Sequence, residues 1–186
     1  LTKLKYLNLD FCKCITDVSI IDHVEYLNIS GTNVADISGL RGSKIKKLDL
    51  SYCSNLRDVS VLSTLTELKD LDLQSCVNIT NIPMLDQVEK LNLGRTIVAD
   101  ISVLQWSKIK KLDLYYCPNL RDLSVLSTLT ELKWLNVHGC MNITDVSMLK
   151  HVEYLNLGET NIVDISGLQG SKIKKLDLYY CHNLHD

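Results

Sequence analysis

The sequence lacks any long apolar run, because its hydrophobic residues occur as short pairs and triplets. A membrane-spanning helix would require roughly eighteen or more in succession. Strong charge of either sign is also missing, since 20 Lys and Arg residues face 22 Asp and Glu residues for a net charge of −2. That balance gives no electrostatic basis for binding nucleic acid or an anionic membrane. No signal-peptide pattern stands at the start either. These absences predict a globular domain without membrane insertion and without a nucleic-acid partner.

The signatures of catalysis and of metal binding are missing as well. The sequence contains no glycine-rich phosphate loop, and no Ser–His–Asp or Cys–His arrangement can be assembled from it. Its seven cysteines include no C-x-x-C pair, which disfavours a zinc site on "CKC" (12–14) or "CHNLH" (181–185). A disulfide between Cys12 and Cys14 would close too tight a loop. The sequence therefore predicts no enzyme, no cofactor and no metal.

One segment is written three times, and it reveals a repeat. "KIKKLDLYYC" at 108–117 returns at 172–181, and "KIKKLDLSYC" at 44–53 differs only at Ser51. Each 64-residue block divides into units with an apolar residue first, Leu fourth, an aliphatic residue sixth, and Cys or Thr ninth. Unit lengths cycle through 20, 21 and 23 residues, and the nine units begin at Leu4, Val24, Ile45, Leu68, Val88, Ile109, Leu132, Val152 and Ile173.

This frame resembles the leucine-rich repeat signature L-x-x-L-x-L-x-x-N/C-x-L, in one array over residues 1–186. The resemblance implies an α/β fold, namely a right-handed, curved solenoid with a parallel β-sheet on its concave side. The convex segments are too short for long helices, which predicts turns and 3-10 pieces there. A single unit cannot bury its leucines alone, whereas stacked units share a continuous core.

Both ends of the sequence fall inside a unit. "LTKL" (1–4) matches "LTEL" (65–68), and "NLHD" (183–186) matches "NLRD" (55–58). We therefore expect a piece of a longer array, truncated at both ends. Uncapped ends would leave several apolar residues without a covering neighbour and would favour self-association; they are Leu1, Leu4, Ile173, Leu176 and Leu178.

The ninth position predicts a ladder of small side chains. In this fold it points into the corner after the strand, where a small donor satisfies carbonyls that would otherwise be buried unpaired. We predict reduced, largely buried residues at this position, namely Cys12, Thr32, Cys53, Cys76, Thr96, Cys117, Cys140, Thr160 and Cys181. Unpaired cysteines of this kind favour an intracellular location.

The aligned copies 24–87 and 88–151 differ mainly on one face. The third, fifth, seventh, eighth and tenth positions of each unit are predicted to face the concave side or its rim. They differ between the copies at eleven of fifteen places, whereas the other forty-nine places differ at only eleven. All eight tyrosines lie at third, seventh or eighth positions, and recognition surfaces collect this residue. The predicted partner-binding residues are Tyr6, Phe11, Tyr26, Tyr52, Arg95, Tyr115, Tyr116, Trp134, His138, Tyr154, Tyr179 and Tyr180.

Within that set, Tyr115, Tyr116, Trp134 and His138 are expected to form one cluster near the middle of the sheet. The fifth position is always Asn or Asp. We interpret it as a source of side-chain ladders and of ion pairs with the lysine two residues earlier, as in Lys47, Lys111 and Lys175.

The pattern predicts a protein-recognition module that belongs to a larger regulatory or scaffold protein. "VADISGL" (34–40) resembles the short repeats of protein phosphatase regulators and of bacterial internalins. "GCMNITDVSML" (139–149) resembles cysteine-containing repeats, including those of F-box receptors and of trypanosome expression-site-associated adenylate cyclase regulators. These resemblances imply intracellular regulation. Two alternatives stay open: a surface adhesin of the internalin kind, and a recently duplicated or engineered array with no evolved ligand.

Overall fold

Each unit contributes one three-residue β-strand to a single parallel sheet. The computed structural model describes residues 3–19 and 23–185, and the strands pair in chain order from β1 to β9. The strands are β1 (Tyr6–Asn8), β2 (Tyr26–Asn28), β3 (Lys47–Asp49), β4 (Asp70–Asp72), β5 (Lys90–Asn92), β6 (Lys111–Asp113), β7 (Trp134–Asn136), β8 (Tyr154–Asn156) and β9 (Lys175–Asp177). The predicted strand of every unit is confirmed.

The strands pair without any shift between units. Tyr26 lies opposite Lys47, Leu27 opposite Leu48 and Asn28 opposite Asp49, and the same match holds along the sheet. Residues that share a frame position therefore form a row across the sheet, and these rows are named by that position below. The fourth-row leucine points into the core, whereas the third and fifth rows point away from it.

The core lies between the sheet and the outer segments. Leucines of the inner strands, such as Leu91, Leu112 and Leu135, are at most 2% exposed. At the ends of the array Leu4, Ile173 and Leu178 are only partly buried, and Leu176 is 36% exposed, because a neighbouring unit packs against only one of their sides. Leu1 lies outside the described residues.

The outer segments are turns and short 3-10 helices whose length follows the unit length. The 21-residue units carry three-residue helices, Ser38–Leu40, Ser102–Leu104 and Ser166–Leu168. The 23-residue units carry five-residue helices, Ser60–Thr64 and Ser124–Thr128. The 20-residue units have none within the described residues. A longer unit thus places its extra residues on the convex side and leaves the strand spacing unchanged. No helix in the described part of the chain is long and apolar enough to cross a bilayer.

The 3-10 helices begin at an Asp-x-Ser pattern. The Asp36 carboxylate accepts a hydrogen bond from the Ser38 backbone N–H at 2.7 Å, and Asp58 and Asp100 do the same two residues before their helices. These bonds from the backbone lower the pKa of the three carboxyl groups. The Asp side chain thus satisfies the first backbone N–H of each short helix, which has no partner within the helix.

Candidate protein-binding face

The fifth-row Asn or Asp turns the chain at the end of each strand. In all nine units its Oδ1 accepts the backbone N–H of the seventh residue, for example Asn28 from Ser30 at 2.9 Å and Asp113 from Tyr115 at 3.2 Å. This is an Asx turn, in which a side chain replaces a backbone acceptor. Side-chain ladder bonds also occur, with Asn92 donating to Asp72 at 3.1 Å and Asn136 to Asp113 at 3.0 Å.

Among the described residues no ion pair within 4 Å joins that Asp to the lysine two residues earlier, although Lys111 attracts the Asp113 carboxylate. Lys47 pairs instead with Asp70 of the next strand at 3.6 Å. Asp49 accepts the backbone N–H and the hydroxyl of Ser51. The Asx turn therefore uses the carboxylate that sequence reasoning had assigned to a lysine.

The eighth residue of every unit adopts a left-handed backbone conformation. Its φ lies between 50° and 72° in Phe11, Gly31, Tyr52, Ser75, Arg95, Tyr116, Gly139, Glu159 and Tyr180. Its N–H donates to the seventh-residue carbonyl of the next unit, as from Tyr116 to His138 at 2.7 Å, so the ladder continues past the strand. A non-glycine residue pays about 1–2 kcal/mol for this conformation. Four of these positions nevertheless carry an aromatic side chain, and three others carry Ser75, Arg95 and Glu159.

A stack of rings and cations occupies the third row of β6 to β9. The rings of Trp134 and Tyr154 lie parallel, with centroids 5.1 Å apart and planes 4° from each other. Lys111 places its Nζ 4.2 Å from the Trp134 ring centroid, and Lys175 lies 5.1 Å from that of Tyr154. We call Lys111, Trp134, Tyr154 and Lys175 the third-row stack. Cation–π contacts of this kind contribute about 0.5–1 kcal/mol each at exposed sites.

A second group lies at the turns after β5 to β8. Tyr116 contacts Tyr115 and His138 edge to face, at 5.9 Å and 5.2 Å between ring centroids. Arg95 lies over both tyrosine rings, at 5.5 Å and 5.7 Å. The Tyr116 hydroxyl donates to Glu159 at 2.7 Å, and this bond raises the tyrosine's pKa. We call these five residues the turn cluster.

The expectation of one central cluster is therefore wrong. In the described structure Trp134 makes no ring contact with Tyr115, Tyr116 or His138. The reason is geometric, because the third row lies on one side of the Asn/Asp row and the seventh and eighth positions lie on the other. Both groups belong to the concave side, but they form two separate contact areas.

The remaining predicted residues form smaller groups along the same rows. Tyr6 stacks on Tyr26 at 4.3 Å, Phe11 lies 6.3 Å from Tyr52, and Tyr179 contacts Tyr180 edge to face at 4.1 Å. Phe11, Tyr52, Tyr179 and Tyr180 are between 45% and 60% exposed. None of these rings belongs to the leucine core.

Glycines that sequence reasoning did not single out make room for the rings. A Cβ at Gly139 would lie 2.5 Å from the Tyr116 ring, and one at Gly158 would lie 2.6 Å from His138 Nδ1. A Cβ at Gly94 would collide with the ring of Tyr115. The sequence did contain a sign of this fit. Each of these glycines occupies the seventh or eighth position of its unit, and a neighbouring unit carries a ring at the same position.

The ninth-row side chains supply donors to the strand ends. Thr96 Oγ1 donates to the Leu93 carbonyl of its own unit at 2.7 Å, whereas the Cys117 thiol donates to that carbonyl across the unit boundary at 3.2 Å. The pattern repeats with Thr32 and Cys53 at the Ile29 carbonyl. Burial raises the pKa of Cys76 and Cys140 to about 12, so both stay protonated at neutral pH.

The predicted burial is wrong at one end of this ladder. Cys12 is exposed, as is Cys14, and Cys181 is only partly buried. In the other units the thiol donates to a carbonyl of the preceding unit. Cys12 lies in the unit of β1, and no described unit packs on its other side. No group of three or more His, Cys, Asp or Glu side chains among the described residues could hold a metal ion.

No protein-family model and no curated protein sequence matches the chain. Among solved structures, an internalin C2 of Listeria monocytogenes is 24% identical over 94% of this chain and 80% of its own, with a TM-score of 0.81. The functional domain of InlJ from that species, which includes a cysteine ladder, is 17% identical over 100% of this chain and 46% of its own, with a TM-score of 0.66. A chain of the mouse RP105/MD-1 complex is 16% identical over 95% of this chain and 38% of its own, with a TM-score of 0.70. The chain thus spans less than half the length of the last two. Together with the nine-stranded parallel sheet, these likenesses identify the fold as a curved leucine-rich-repeat solenoid.

Proposed function

We propose that the chain is a protein-recognition module that binds a partner protein through its concave side, within a larger regulatory or scaffold protein. The observation that carries the proposal is the retention of Phe11, Tyr52, Tyr116 and Tyr180 at left-handed positions where glycine would cost less. Rings held in this way are partly pre-organised for contact. The mouse RP105 protein, which shares the fold, forms a complex with MD-1.

The two contact areas assign different roles to their residues. The third-row stack offers ring edges and lysine cations, whereas the turn cluster offers a hydroxyl and an imidazole whose Nε2 lies 3.6 Å from the Glu159 carboxylate. Central aromatic residues of an interface typically cost on the order of 2 kcal/mol or more of binding energy when truncated. The resemblances to trypanosome cyclase regulators and to internalin adhesins differ in where such a module would act, inside the cell or on its surface. Both agree with binding of a partner protein.

The test is affinity capture from a lysate of the source cells with three immobilised forms of the chain. The concave variant is Tyr116→Ala with Trp134→Ala, which removes one ring from each contact area. The matched control is Met84→Ala with Val103→Ala, two exposed apolar side chains of the outer segments. We expect proteins that the wild type and the control retain and that the concave variant loses. A partner lost from the control and kept by the concave variant would place binding on the convex side and contradict the proposal.

A further inference from the structure

The second and third rows carry most of the lysines of the chain along the edge where the strands begin. They hold ten lysines against three glutamates and one aspartate, a balance of plus six in a chain whose net charge is −2. We call the ten lysines the lysine edge: Lys5, Lys46, Lys47, Lys69, Lys90, Lys110, Lys111, Lys133, Lys174 and Lys175.

The carboxylates within these rows neutralise only part of that charge. Each second-row glutamate lies between two lysines of neighbouring units. Glu25 contacts Lys5 at 2.9 Å and Lys46 at 2.7 Å, and their hydrogen bonds lower its pKa to about 2. Glu89 and Glu153 are bridged in the same way, at 2.7–3.9 Å. Because one carboxylate serves two cations, the groups around Glu25 and Glu153 keep a positive charge, whereas Lys110 beside Glu89 also contacts Glu131 at 3.9 Å. Side chains such as Lys133 and Lys174 are at least 70% exposed.

Three third-row lysines lie beside rings, and one of them, Lys47, also contacts Asp70 at 3.6 Å. Lys111 and Lys175 cap the two ends of the third-row stack, and Lys47 lies 5.4 Å from the Tyr26 ring. Between the ring pair of β1–β2 and that of β7–β8, Lys90 and Lys111 line an open depression whose other walls include Asp70, Asp72 and Asp113. An anionic group that approached Lys111 or Lys175 would meet a lysine cation and a ring together.

We propose that the partner's contact segment is an acidic stretch of polypeptide whose carboxylates pair with the lysine edge. This inference rests on the proposed function and adds the chemistry of the partner. The pairs Lys46–Lys47, Lys110–Lys111 and Lys174–Lys175 recur every three strands, a spacing of about 14 Å. Acidic residues at intervals along a polypeptide match this pattern.

A nucleic acid fits the same edge less well. Its phosphates recur about every 3.4 Å along each strand. A continuous row of charge would therefore also meet Glu25, Glu89 and Glu153, and the fifth-row aspartates beyond them. Discrete carboxylates can pair with the lysines and avoid these acids, which favours an acidic polypeptide.

The experiment is selection of a random peptide display library on the wild-type chain and on three variants. The edge variant is Lys47→Glu with Lys111→Glu, two exposed residues 64 positions apart. Its matched control is Arg57→Glu with Arg121→Glu, also exposed, 64 positions apart and equal in charge change, but outside the two rows. The concave variant is again Tyr116→Ala with Trp134→Ala. Selected peptides are then synthesised, and a labelled single-stranded DNA oligonucleotide serves as the polyanion for comparison.

We expect the selected peptides to be rich in Asp and Glu, to weaken as salt rises, and to lose about tenfold or more in affinity on the edge variant but about twofold or less on its control. Peptides that bind the wild type but are neutral or basic, or that bind the edge variant equally well, would overturn this inference alone. Absence of any selected peptide, or selection that survives the concave variant, would contradict the proposed function. DNA that binds more tightly than the acidic peptides, and that the edge variant loses, would show a polyanion site and overturn the inference too.

Discussion

Residues with a left-handed backbone conformation can lower the stability of the chain while they present a side chain at its surface. Besides the eighth position, three residues near the end of the 21-residue units have positive φ: Gly42, Trp106 and Gly170. The three are equivalent in the 64-residue repeat. Two copies use glycine, which adopts this conformation freely, and the third exposes 72% of a tryptophan. The tryptophan therefore sits in a conformation that a glycine would adopt at lower cost.

Replacing that tryptophan should stabilise the chain. Trp106→Gly removes a left-handed cost of about 1–2 kcal/mol and adds a glycine entropy cost of about 0.5–1 kcal/mol, so we expect a net gain of about 0.5 kcal/mol in the free energy of unfolding. Urea denaturation measures it. The reverse control is Gly170→Ala, where an added Cβ meets nothing within 4 Å and only backbone strain remains. A loss of stability in Trp106→Gly would show that the ring packs on the fold.

The ladder thiols make stability depend on pH in the alkaline range. Burial raises the pKa of Cys76 and Cys140 from their usual value near 9 to about 12, so the folded state holds these protons more tightly than the unfolded state. That contribution is complete below pH 9 and is lost as pH rises toward 12. Cys76→Ser with Cys140→Ser removes both titrations. We therefore expect a shallower fall in unfolding free energy above pH 9 than in the wild type, measured by denaturant titration at each pH, and equal slopes would contradict the ladder's protonated state.

How much of the site could be predicted depends on whether a residue acts within its own unit. The place of Tyr116 on the concave side follows from its frame position alone. The fit of its ring against Gly139, its bond to Glu159 and the exposure of Cys12 depend on neighbouring units, whose distances the repeat does not specify. The fifth-row Asx turn was missed for another reason, because Asn and Asp also suit ladders and ion pairs.

Within each secondary-structure element, adjacent residues of a strand have different roles: one packs in the core and the next lies on the concave side. In β7, Leu135 is fully buried while Trp134 is half-buried in the third-row stack. This alternation was predictable because a strand directs successive side chains to opposite faces. The sequence predicted that 3-10 helices occur, but not how long they are. Their length depends on how many residues remain in each unit after its strand and turn.

The neighbouring residues of β7 should therefore respond differently to truncation. Leu135→Ala leaves a cavity in the core and should cost about 2–5 kcal/mol of unfolding free energy. Trp134→Ala with Tyr154→Ala removes one ring pair and its cation contacts and should cost about 1–2 kcal/mol. Urea denaturation of the two proteins makes the comparison. An equal or larger loss from the ring pair would mean that the concave side belongs to the core.

Across the 186 residues as a whole, the outermost described strands are the least covered. The strands β1 and β9 pack against a neighbouring unit on one side only, and their fourth-row leucines are less buried than those of the inner strands. Stability in such an array is close to a sum of unit and interface terms. Local opening should therefore occur first at the ends.

Hydrogen exchange followed by mass spectrometry should map this gradient. We expect the fastest amide exchange in the first and ninth units and the slowest between about residues 88 and 150, where units are covered on both sides. A dilution series separates this from self-association, because end-to-end contact would slow exchange at the ends as concentration rises. Uniform protection of all nine strands in dilute protein would contradict local opening that starts at the outermost units.

The most direct test of the central claim is hydroxyl-radical footprinting of the chain with and without a partner captured as described above. Oxidation of exposed side chains reports which surface a partner covers. We expect Trp134, Tyr154 and Tyr116 to become protected in the complex, while Met84, an outer residue that is 60% exposed, is oxidised at an unchanged rate. Protection of Met84 with unchanged oxidation of the three concave rings would contradict recognition through the concave side.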